Sequence, residues 1–154
     1  MSGVAPLLSS RGLRVGIAGR IFCRELTLAV HAGECLAILG RNGAGKSTLL
    51  SVLAGLREPE AGEVLLAGSS YADLGARASA LLRGWLPQER SEAFSSTVLE
   101  TALVGRHPHL ARWDWESEKD ARIARQALAA VGLAELAARD VQTLSGGEQQ
   151  RLSI

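Results

Sequence analysis

The chain has 154 residues, which makes it one domain or part of one, and its hydrophobic fraction of 47% is enough for a sizeable core. A formal net charge of +1 gives no electrostatic case for a nucleic-acid partner. No stretch approaches the roughly 18 apolar residues of a membrane span, and Met1-Ser2-Gly3-Val4-Ala5-Pro6 lacks the basic and long apolar regions of a signal peptide. The expectation is therefore a soluble, cytosolic chain. Cys23 and Cys35 sit in apolar segments, where buried reduced thiols are expected rather than a disulfide. His107 and His109 form an H-x-H pair with no further Cys or His nearby to complete a zinc site.

In chain order, Met1 to Ser10 reads as a loose leader and Leu13 to Ile17 as a strand. Ala18-Gly19-Arg20 is a turn. Ile21 to Val30 is a second strand, and period two puts Phe22, Leu26, Leu28 and Val30 on one face. His31-Ala32-Gly33-Glu34 is a tight turn. The apolar run Glu34 to Leu39 reads as a buried strand, and Thr48 to Ala54 as the apolar face of a helix. Hairpin followed by buried strand suggests a small antiparallel sheet beside a parallel one. Gly55, Pro59 and Gly62 end the helix, Glu63 to Ala67 is a strand, and Gly68 to Gly75 is a polar loop. Ala76 to Arg83 has helical composition, and Trp85-Leu86 is a short apolar step into Pro87-Gln88.

Between the buried strand and the helix stands Gly40-Arg41-Asn42-Gly43-Ala44-Gly45-Lys46-Ser47-Thr48, which fits the phosphate-loop pattern G-x-x-x-x-G-K-[ST]. Glycines let the backbone turn its N–H groups inward around phosphate oxygens, and a helix start adds free donors and a favourable dipole. In this pattern Lys46 reaches the β- and γ-phosphates of ATP and the Ser47 hydroxyl holds Mg²⁺.

After Gln88 the chain reads as mostly helical. Thr97-Val98-Leu99-Glu100 is a capping box that starts a helix running to about Val104, before Gly105 and Pro108. Ser117-Glu118-Lys119-Asp120 is a signature of the same kind, opening an alanine-rich helix from Glu118 to Val131 that ends at Gly132. Leu133 to Ala138 is a further short helical piece. Charges scattered from Glu116 to Arg139 read as a solvated helix face, and Trp113 and Trp115 as packing under a loop, with a partner contact as the alternative. Leu144-Ser145-Gly146-Gly147-Glu148 holds a third box, and two glycines in a first helical turn leave N–H groups uncovered, which suits an anion.

The phosphate loop, Pro87-Gln88 and Leu144-Ser145-Gly146-Gly147-Glu148 together resemble the ATP-binding cassette (ABC) family of transporter ATPases, from Leu13 to the end of the chain. Thr97 to Trp115, with Gly105-Arg106-His107-Pro108-His109, is similar to the ATPases of iron-siderophore, haem and cobalamin importers. The resemblance implies an α/β fold: a P-loop sheet core with a small antiparallel side sheet (residues 1–87), a Q-loop and helical subdomain (88–144) and the start of a signature helix (145–154). It implies that Gly40 to Thr48 wraps the triphosphate and that Gln88 touches Mg²⁺ or the attacking water. Ser145, Gly146, Gly147 and Glu148 would meet the γ-phosphate held by a second cassette in a head-to-tail dimer. The implied function is ATP binding and hydrolysis energising an importer; the alternatives are a non-transport ABC ATPase and a degenerate, non-hydrolysing fragment. Implied partners are polytopic membrane permease subunits and a substrate-binding protein, at the inner face of the membrane, with no nucleic acid. The sequence departs from the family twice. The adenine-stacking aromatic falls at Ile17 and Ala18, so that adenine contact is aliphatic or made by Phe22. The Asp-Glu strand and the histidine switch are not in these 154 residues, so turnover is not expected from this stretch alone.

Overall fold

Strands β1 (Leu8–Ile17) and β2 (Arg20–Val30) close into a hairpin through Ala18 and Gly19, whose φ angles of 49° and 80° give the turn that matches strand twist. The computed structural model describes residues 5–88, 95–111 and 113–154, which fall into two units, one up to Arg83 and one from Gly84. In the first unit β3 (Ala61–Leu66) pairs with β1, and β4 (Ser69–Ser70) with β3, giving an antiparallel sheet of order β2-β1-β3-β4. The supposed leader contributes to this sheet. Leu8 pairs with Val30 on one side and Leu66 on the other, and the Ser10 hydroxyl is buried, donating to the Leu26 carbonyl at 3.0 Å.

Alternation along β2 breaks at Glu25, which has a φ of 54°. Leu13 faces Leu26 but Val15 faces Cys23, so β2 carries one extra residue between these pairs. A bulge of this kind inverts the faces upstream of it. Leu26 and Leu28 pack on the core as expected, but Cys23 joins them there in place of Phe22.

Helix α1 (Lys46–Leu53) lays Val52 and Leu53 against Leu13, Val15 and Val64, with Leu49 and Ile38 at the margin. Full burial of such side chains is worth about 1.5–3 kcal/mol each, so this contact fixes the helix on the sheet. The run before it departs from expectation. Glu34 to Leu39 lies in no ladder among the described residues, and Leu36 and Leu39 are 53% and 89% exposed. Cys35 is exposed with them, not buried. An apolar run becomes a buried strand only when strands flank it, and β2-β1-β3-β4 supplies none. Helix α2 (Tyr71–Leu82) begins within the expected polar loop, because Ser70 caps it by accepting from the Asp73 N–H at 3.1 Å; Gly75, at φ 71°, then interrupts it. Tyr71 ties α2 to the end of α1, its hydroxyl donating to the Leu53 carbonyl at 2.9 Å.

The second unit holds α3 (Val98–Val104), α4 (Glu118–Ala130) and α5 (Gly146–Leu152) around Val98, Leu128, Leu133, Val141 and Leu144. All three expected capping boxes form, on Thr97 and Glu100, Ser117 and Asp120, and Ser145 and Glu148. Leu133 to Ala138 contains a single 3₁₀ turn, Ala134–Leu136. Between α3 and α4 a 3₁₀ turn at His107–His109 is pinned by polar contacts: Arg106 Nε donates to Asp120 Oδ1 at 3.0 Å, and His107 Nε2 lies 3.4 Å from Glu116 Oε1. These contacts hold the connection without burying its apolar side chains. Trp113 and Trp115 are accordingly 85% and 88% exposed rather than packed under a loop. Among the described residues no helix is long and apolar enough to cross a membrane.

Asp120 joins three of these contacts. The Ser117 hydroxyl first, then the Ser117 N–H and the Arg106 guanidinium, draw its carboxyl from the usual 3.8 down to about 2. A depressed carboxyl stabilises the fold above its unfolded pKa and loses that contribution as pH falls through the folded value. Denaturant titrations should therefore show Asp120→Asn less stable than the parent at neutral pH. The gap should close between about pH 4 and pH 2.

Candidate phosphate-binding site

The phosphate loop takes its shape from its glycines and from what lies behind them. Gly45, with a φ of 86°, is the residue before α1 and caps it through backbone only; no side chain covers the first-turn N–H groups. Left-handed backbone suits glycine, and here space demands it too. A Cβ on Gly45 would stand 2.4 Å from Phe22 Cγ, so the Phe22 side chain forms the wall behind the loop. The bulge at Glu25 puts Phe22 on this side of the strand.

Lys46 closes the loop from the front. Its Nζ donates to the carbonyls of Gly40 at 2.8 Å and Arg41 at 2.9 Å, and the Arg41 carbonyl also accepts from the Ala44 N–H at 3.2 Å. Ser47 lies exposed on the first turn, with Thr48 half-buried beside it. Asn42 and Gly43 are exposed at the tip. The sequence from Cys35 to Arg57 contains Arg41, Lys46 and Arg57 but no acid. Uncapped donors, a helix dipole and an ammonium group therefore converge where no carboxylate opposes an anion.

The other expected site residues belong to the second unit. Gln88 is exposed beside Pro87, and residues 89–94 of the same connection lie outside the described residues. Leu144 is buried and anchors the start of α5, whereas Ser145, Gly146 and Gly147 face outward. The Ser145 hydroxyl accepts from the Glu148 N–H at 3.4 Å and donates to Glu148 Oε2 at 2.7 Å. That hydroxyl, followed by the Ser145 N–H, lowers the Glu148 carboxyl below its ordinary range. A Cβ added to Gly146 or Gly147 would meet nothing within 4 Å. Helical glycine costs about 1 kcal/mol relative to alanine, so neither backbone shape nor packing inside the chain accounts for these two residues.

Residues missed by pattern reading cluster at the hairpin. Arg20 stacks on the face of Phe22, with Cζ 5.3 Å from the ring centroid. Period two assigned Phe22 to the core, and the only local sign of the change is a charged Glu25 in mid-strand.

Residues 23–154 match the protein-family model described as ABC transporter. The chain is similar to the hemin import ATP-binding protein HmuV of Gloeobacter violaceus, 47% identical over 96% of this chain and 53% of that protein. It is also similar to the cobalamin import ATP-binding protein BtuD of Halobacterium salinarum, at 39% identity over 96% of this chain and 36% of that one. A solved inward-facing conformation of a putative metal-chelate type ABC transporter matches with a TM-score of 0.78 and 30% identity, over 97% of this chain and 54% of the other. The chain thus spans about half, or less, of the length of these relatives.

The Gly45–Phe22 contact yields a measurable coupling. Gly45→Ala should destabilise the first unit by strain and collision together, about 2 kcal/mol or more. In Phe22→Ala the added methyl finds room, so a double-mutant cycle by denaturant titration should show the paired change costing less than the sum, by about 1 kcal/mol. Strict additivity would place the ring away from the loop.

Proposed function

Because the chain belongs to the ABC transporter family, we propose that it is the nucleotide-binding part of an ATPase subunit that energises an importer for a metal chelate, haem or cobalamin. The observation that carries this reading is the loop Gly40 to Thr48, set on the uncapped end of α1 with Lys46 folded over it. The relatives named for hemin and cobalamin import point to the substrate class.

In this reading Gly40, Arg41, Asn42, Gly43, Ala44, Gly45 and Thr48 wrap the triphosphate of ATP with backbone donors. Lys46 exchanges its carbonyl partners for β- and γ-oxygens, and so neutralises charge as water attacks the γ-phosphate in line. The donor set fits Mg²⁺: an exposed Ser47 hydroxyl with no carboxylate between Cys35 and Arg57 suits a metal held largely by the phosphates. Ser47 and Gln88 would hold it, and when bound it spreads the phosphate charge. Gln88, next to the hinge-like Pro87, would also report occupancy to the helical unit. No acid in these residues is assigned as general base, so sustained turnover needs the further length that the relatives possess.

Ser145, Gly146, Gly147 and Glu148 act in trans. Two exposed helical glycines with no internal reason to be glycine suit a surface that another molecule approaches closely. The occupant we propose is the γ-phosphate held by a second cassette in a head-to-tail dimer. Permease subunits at the inner face of the membrane and a substrate-binding protein complete the importer.

Lys46→Ala removes a charge-assisted contact worth roughly 1.5–3 kcal/mol, and ATP titration should show affinity at least about tenfold weaker. Superimposable curves would sink the assignment. For the dimer, a full-length, hydrolysis-dead form should sediment as a dimer with ATP and a monomer without it. Gly146→Asp sets a carboxylate against phosphate and should abolish the dimer while sparing ATP binding by the monomer. Loss of monomer binding instead would mean that the signature turn acts within its own chain.

A further inference from the structure

We infer that Arg20, stacked on Phe22, is the platform on which the purine base of the bound nucleotide lies; this rests on reading residues 40–48 as a triphosphate site. Phe22 abuts Gly45, the residue just before Lys46, and the Arg20 guanidinium covers the face of the same ring at 5.3 Å. Ring and guanidinium therefore form a stack that begins at the phosphate loop and extends one layer outward. The base of a nucleotide hangs one ribose away from its phosphates, and this stack is the planar surface beside the loop. The first unit's other aromatic, Tyr71, belongs to the far end of α1, where it bonds to Leu53. The hairpin turn itself offers only Ile17 and Ala18.

Charge pairing singles out the same residue. Arg11 lies 3.5 Å from Glu63 and Arg14 3.4 Å from Glu60, but among the described residues no carboxylate pairs with Arg20. Its exposed guanidinium is planar and weakly hydrated, and can stack on a base by one face while the ring holds the other. An ammonium group has no such plane. The platform therefore selects for the larger π face of a purine over a pyrimidine, and it contributes to base rather than phosphate recognition.

The test titrates the purified protein by calorimetry with ATP, CTP and inorganic tripolyphosphate. Arg20→Ala should weaken ATP about tenfold, the scale of one base-stacking contact, and leave tripolyphosphate within about twofold. Arg20→Lys should weaken ATP as much as alanine does, Arg20→Trp should restore it, and the parent's preference for ATP over CTP should fall in Arg20→Ala. Lys46→Ala should weaken ATP and tripolyphosphate alike. Equal loss of both ligands in Arg20→Ala would make Arg20 a phosphate cation and overturn the platform. Unchanged ATP binding in Arg20→Ala, or full binding in Arg20→Lys, would overturn it too. If the parent protein bound neither ATP nor tripolyphosphate, the triphosphate reading itself would fall, and the platform with it.

Discussion

The contact between Gly45 and Phe22 sets the geometry on which the phosphate site depends. Gly45 is left-handed, and no larger residue fits against the ring. Its conformation aims the first turn of α1, and the packing of Val52 and Leu53 on Leu13, Val15 and Val64 holds the other end of that helix still. The loop between is thus clamped by one close approach and one apolar contact. Neither uses a polar side chain, which leaves the donors of the first turn and the Lys46 ammonium for an anion. A site for a highly charged ligand is in this way supported almost wholly by apolar packing.

The helix starts divide into two kinds. Helices α3, α4 and α5 each begin with a serine or threonine that exchanges hydrogen bonds with an acid three residues on. That acid carries negative charge at the positive end of the helix and quenches its appeal to anions. Helix α1 has no such cap. The contrast marks α1 as the helix that receives phosphate within its own chain. At α5 the cap and the proposed ligand contact share one group: the Ser145 hydroxyl donates to Glu148, and would have to turn from that carboxylate to donate to a phosphate.

Features written in short-range chemistry were legible in the sequence. The hairpin turn, the phosphate loop and the capping boxes at Thr97, Ser117 and Ser145 each need only a few neighbouring residues, and each formed where its residues stand. Features that depend on distant partners were not. Glu34 to Leu39 has the composition of a buried strand, but composition cannot supply flanking strands. Leu8 to Ser10 looked like a leader because its partners, Val30 and Leu66, lie far along the chain. The exposure of Trp113 and Trp115 follows from an Arg106–Asp120 pairing that hydropathy does not register. The base of the phosphate loop was half legible: Phe22 stood out as an aromatic near the hairpin, but its direction hung on one irregular residue.

Glu25 makes the length of β2 as informative as its composition. Deleting one residue between Cys23 and Leu26 would restore regular pairing with β1. The same deletion would rotate Phe22 into the core and Cys23 out of it, taking the wall away from Gly45. A change that improves the sheet locally would thereby unmake a loop that it never touches in sequence. Insertions and deletions at this point are therefore far more damaging than point substitutions, and the bulge works as a spacer whose count must be kept.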